Sequence, residues 1–118
     1  MGHFDMRKSE ILIIVELIDY LPNSIISKSI IKKATGNITV LSFDSGEILS
    51  EKKSPYDNFI QVVEGKAEVI IDGSHKIINS GQSIIIPAHL SSSIKANMRF
   101  KMISTIIKSG YEEVELGQ

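Results

Sequence analysis

The chain has 118 residues, of which 42% are hydrophobic and 23% charged, and its formal net charge is −1. That suffices for one domain with its own core, and it excludes a disordered chain and the strongly basic surface that nucleic acid requires. There is no cysteine, which also excludes disulfides, thiolate nucleophiles and Cys-ligated zinc or iron–sulfur centres.

In chain order, residues 1–8 carry no pattern and read as a loose arm that includes His3. Ser9 and Glu10 then look like a helix start. The apolar stretch over 11–18 is read as a short helix ending before Pro22, because a proline disfavours helical backbone at the preceding Leu21. Arg7 and Lys8 ahead of that stretch imitate a signal peptide. Glu16 and Asp19 interrupt it and no small-residue cleavage site follows, so a cytoplasmic protein is expected. The run is far shorter than the roughly 20 residues of a spanning helix, and no membrane is expected as a partner.

From Ser24 onward the pattern is β. Isoleucine is frequent, and turn signals such as Asp44-Ser45-Gly46, Glu64-Gly65, Asp72-Gly73 and Ser80-Gly81 recur at short intervals. Strands are expected over 24–32, 37–43, 56–63, 67–71, 75–78, 83–86, 90–95 and 100–108. Even spacing of short strands, with no helical period between them, points to an all-β jelly roll with a short N-terminal helical segment. Along 58–64, Asn58, Ile60, Val62 and Glu64 share one face, and Phe59, Gln61 and Val63 share the other. Both faces are mostly apolar. One is expected to line the barrel and the other to meet a partner, which favours a homodimer.

Two segments carry a family resemblance. The first runs Gly46, five residues, Lys52, Lys53, Ser54, three residues, Asn58, six residues, Gly65. The second runs Gly81, five residues, Pro87, four residues, Ser92. Their skeletons resemble the two cupin motifs: Gly, five residues, His, one residue, His, three or four residues, Glu, six residues, Gly; then Gly, five residues, Pro, and a His five positions on. The hairpin over 65–73 is similar as well. The resemblance implies a double-stranded β-helix barrel over 24–108; the residues themselves read as an arm and helix over 1–23 and a solvated acidic tail over 109–118 that contains Glu112, Glu113 and Glu115.

In metal-bearing cupins three His and one Glu converge inside the barrel. The positions matching them here are Lys52, Ser54, Asn58 and Ser92. An ammonium repels a cation, and hydroxyls and an amide are weak ligands for transition metals, so neither a metal nor another cofactor is expected. His89 with Asp57 is the one other donor set worth weighing. His75 reads as a turn residue. The candidate pocket is Lys52, Ser54, Asn58, Ser92 and His89, with Met102 and Ser104 placed on the lumen face of the last strand. It suits a small polar or anionic ligand. Lys52, Tyr56 and His89 are the weak catalytic candidates. The resulting expectation is a metal-free, non-enzymatic module that binds a small molecule or serves as a sensor or accessory protein. The alternatives are a metal-independent isomerase resembling sugar-nucleotide epimerases, working by acid–base chemistry, and, third, a metal-dependent dioxygenase.

Overall fold

A computed structural model of the chain describes residues 5–51 and 53–110. His3, Lys52 and the three tail glutamates lie outside the described residues. Among the described residues there are nine strands: β1 (Ile25–Lys33), β2 (Gly36–Phe43), β3 (Ile48–Glu51), β4 (Asn58–Glu64), β5 (Lys66–Ile71), β6 (Ser74–Asn79), β7 (Ser83–Ile86), β8 (Ser92–Lys95) and β9 (Phe100–Ile107). They form two antiparallel sheets, one in the order β1-β2-β9-β4-β7 and the other in the order β3-β8-β5-β6. No helix among the described residues is long and apolar enough to cross a membrane.

Period-two alternation builds the core between the sheets. In β4, Asn58, Ile60 and Val62 are buried while Phe59 and Gln61 are exposed. In β5, Ala67, Val69 and Ile71 are buried. These side chains meet Ile78, Ile94, Phe43, Phe100 and Met102 in one cluster, and the Phe43 and Phe100 rings stack at 4.4 Å. Offset aromatic contacts of this kind add to the gain from burial alone. The three motif glycines, Gly46, Gly65 and Gly81, all have positive φ, at 90°, 77° and 89°. At Gly65 the constraint is doubled, since a Cβ there would run into the Arg99 carbonyl oxygen and Phe100.

The expected N-terminal helix is reduced to a single 3-10 turn, Ile14–Glu16. Ser9 does not cap it: its φ is 69° and the turn begins five residues later. The carbonyls that a helix would bond internally are taken from outside. Lys101 Nζ donates to the Val15 carbonyl at 2.6 Å, and Lys28 Nζ to the Leu17 carbonyl at 2.9 Å. The segment is a strap on the outer face of β1 and β2. There Ile18 packs with Ile30 and Val40, flanked by Met6, Ile14, Leu17, Ile26 and Ile38.

The remaining differences are local. The sequence reading has no counterpart to β3, four residues whose hydrogen bonds go to the distant β8. β8 begins at Ser92 instead of Leu90, because the chain first turns through His89 at φ 72°.

Candidate functional site

Four strands and two loops converge at one end of the space between the sheets. Asn58 opens β4 opposite Ile86 of β7 and Ile106 of β9, and it is buried. Ser92 opens β8 opposite Ile71 and is also buried. The loop before β4 adds Ser54 and Tyr56, and the β7–β8 loop adds Pro87 and Leu90. Together these residues line a cleft of about 20 Å³, the room that one water molecule needs.

The loops are tied to each other. The His89 N–H donates to the Ser54 carbonyl at 2.6 Å, and the Ala88 N–H donates to Asp57 Oδ1 at 2.8 Å. Ser54 Oγ accepts from the Tyr56 N–H at 3.1 Å, a turn that aims the hydroxyl back at its own loop. Inside the cleft, Ser104 Oγ donates to Asn58 Oδ1 at 2.7 Å, so a buried amide and a buried hydroxyl satisfy each other.

The structure therefore brings together Ser54, Tyr56, Asn58 and Ser92, with Ser104 joined through Asn58. Met102 also faces inward, but it packs in the apolar core. His89 is exposed and does not line the cleft, and Lys52 lies outside the described residues. Asp57 holds the turn at Ala88, which is a structural task. Ile86, Leu90 and Ile106 line the cleft and escaped the sequence reading. Alternation within β7 and β9 was the signal that could have found Ile86 and Ile106.

A transition metal, which the motif resemblance raises, does not fit these residues. Among the described residues the cleft offers two serine hydroxyls, one phenol and one amide, and the amide oxygen already accepts from Ser104. Among the described residues no three His, Asp or Glu side chains come together in a way that could hold a metal ion. Metal sites draw on imidazole, carboxylate or thiolate donors. Titratable groups do meet elsewhere, on the outside of the four-stranded sheet. His75 Nδ1 lies 2.6 Å from Glu68 Oε2, and Asn97 Nδ2 donates to Glu68 Oε1 at 2.8 Å. These two contacts hold the Glu68 carboxyl below its ordinary pKa, His75 contributing most.

No family model matches the sequence. No curated protein matches it either. Solved structures do match in fold. A conserved protein of unknown function from Streptococcus pyogenes superposes with a TM-score of 0.84 at 23% identity, over 91% of this chain and 94% of that one. A cupin superfamily protein from Desulfitobacterium hafniense gives 0.81 at 23% identity, over 88% and 95%. A cupin 2 conserved barrel domain protein from Leptotrichia buccalis gives 0.77 at 29% identity. It covers 80% of this chain, which spans only 46% of that longer protein. Two glycine-anchored motif skeletons, two antiparallel sheets closed over one core and these shared folds agree: the chain has the cupin fold.

Proposed function

We propose that the protein is a non-enzymatic cupin, a dimeric accessory or sensor module that acts through its surface and not through chemistry in its barrel. The observation that carries this reading is the state of the lumen end. Among the described residues its polar groups are neutral, Asn58 and Ser104 are bonded to each other, and about 20 Å³ of space is left. Small-molecule sites usually offer several hundred Å³. An acid–base isomerase needs two titratable groups facing each other across a substrate. Tyr56 lines the cleft, but His89 lies outside it. Self-association is supported by β4, which carries apolar residues on both faces, Phe59 outward and Ile60 and Val62 inward.

The lumen half of the reading is tested on untagged protein purified without chelator. Metal content is measured by plasma mass spectrometry. Melting is followed with manganese, iron, nickel, zinc, and panels of sugars and carboxylic acids. The expected result is trace metal and an unchanged melting temperature throughout. Near one equivalent of a transition metal, or a saturable shift that Asn58→Ala abolishes, would overturn it.

A further inference from the structure

Between two anchored stems the strap stands clear of the sheet. At the first stem the Met6 N–H donates to the Ile30 carbonyl at 2.9 Å, and the Met6 side chain packs on the cluster over β1 and β2. From Arg7 to Ile13 every residue is exposed. The chain turns at Lys8 and Ser9, and Ser9 has a φ of 69°, a conformation that costs a residue other than glycine some stability. Ile11 follows at 95% exposed, the most exposed large apolar side chain among the described residues, with Leu12 at 37% and Ile13 at 54%. At the second stem the Ile13 carbonyl accepts from the Glu16 N–H at 2.9 Å, and Ile14 returns to the cluster. Apolar side chains scattered singly over a surface are ordinary; three in succession, held out in water by a loop pinned at both ends, are a contact surface.

Cations flank both stems. Arg7 and Lys8 are exposed in the loop itself. Lys32 and Lys33 stand at the first stem, where the Lys32 N–H donates to Asp5 Oδ1 and Lys33 Nζ lies 2.8 Å from Asp5 Oδ2. Lys28 reaches the second stem through the Leu17 carbonyl. Residues 5–16 and β1 together hold five lysines and arginines against three carboxylates, Asp5, Glu10 and Glu16, whereas the whole chain carries −1. The Arg7–Glu10 pair, at 3.5 Å, lies in solvent and is therefore weak.

Apolar side chains bracketed by cations match the surface of an anionic bilayer, where hydrocarbon lies beneath negative headgroups. We propose that the 7–13 loop is a membrane-docking wedge: Ile11, Leu12 and Ile13 enter the headgroup–acyl boundary of an anionic lipid surface, while Arg7, Lys8 and the β1 lysines rest on its headgroups. A stable protein partner would cover roughly 20–30 residues a side. The three apolar residues expose less than two whole residues' worth of surface, and lipid asks for no shape complementarity beyond that. A run too short to span the hydrocarbon is long enough to sit at its edge. Neither the apolar nor the electrostatic attraction is large, so the contact needs both and is reversible and salt-sensitive. The proposal rests on the reading of the protein as a module that acts through its surface.

The test is flotation of the full chain with lipid vesicles. Wild type is expected to float with mixed phosphatidylcholine–phosphatidylserine vesicles and not with phosphatidylcholine alone. Raising the salt from about 0.1 M to about 1 M, which shortens the screening length from about 10 Å to about 3 Å, should release it. Replacing Ile11→Ser together with Ile13→Ser, or Arg7→Glu together with Lys8→Glu, is expected to lower binding about tenfold or more. All four positions are exposed, so circular dichroism and melting temperature should stay those of wild type. Ile77→Ser, exposed on the outer face of the other sheet, is expected to bind like wild type. The chain has no tryptophan, so Ile11→Trp supplies a single indole whose emission should shift to the blue with the anionic vesicles only. A wild type that does not float, that floats equally with neutral vesicles, or whose loop variants bind unchanged would overturn the wedge. A change of mass in light scattering on replacing Ile11 and Ile13 would also overturn it, since the loop would then be covered by a second copy. None of these outcomes bears on the lumen, which metal content and melting decide.

Discussion

At Gly65 the backbone has φ 77°, and a methyl group there would strike the Arg99 carbonyl and Phe100. At Gly73 φ is 84°, but nothing lies within 4 Å of the same methyl. The two positions separate conformational strain from collision. Gly73→Ala should cost only the left-handed penalty, about 1–2 kcal/mol. Gly65→Ala adds a backbone clash and should cost on the order of 3–4 kcal/mol. Urea denaturation of both variants checks this, and equal losses would mean that the Arg99 contact relaxes freely. Such glycines could be read from sequence because their demand is local. The cleft residues could be placed only through the spacing of the motif. Asn58 reveals its hydrogen-bond partner Ser104, 46 positions away, only when β4 pairs with β9.

The N-terminal strap shows where an element was misread and why. Its run of isoleucines has the apolar content of a short helix, yet β-branched residues are poor helix formers and their destination is a sheet face. Local signals do not encode that destination. β3 was missed for a related reason: Ile48–Glu51 is too short to alternate visibly, and its partner β8 lies far along the chain. The strap is latched at Tyr20. Its hydroxyl donates to Glu64 Oε2 at 2.6 Å, and the Arg99 and Lys101 cations sit over its ring at 5.1 and 4.9 Å. Burial, then the bond and charge of Glu64, push the phenol well above its ordinary pKa, so it stays a donor at any working pH. Tyr20→Phe keeps the ring over the cations and removes only the bond to a carboxylate. It should destabilise the protein by about 1–3 kcal/mol in chemical denaturation. No measurable loss would mean that the strap is held by Ile18 and the lysine–carbonyl bonds alone.

For the whole molecule, acid sensitivity follows from the carboxylates at the surface. The Asp44 carboxyl is held below its ordinary pKa, first by the Asn23 N–H and then by Arg99, whose Nε lies 2.9 Å from it. A group whose folded pKa is depressed stabilises the fold above its unfolded pKa, about 4 for a carboxylate. That contribution disappears as the pH falls through the lower folded value. Asp44→Asn should therefore melt below wild type near pH 7, and the gap should close as the pH falls through that lower folded value. A gap independent of pH would assign the effect to lost packing.

Strand order also bears on how the chain is made. Among the described residues β9 is the last strand, yet it lies in the middle of its sheet, between β2 and β4. Until it leaves the ribosome, those two strands have no common neighbour, and their inward faces have only half a core to bury against. Long-range pairings of this kind fold slowly and leave strand edges open in the meantime. The nascent chain must wait for β9, and a message truncated before Phe100 would yield two open edges and no barrel.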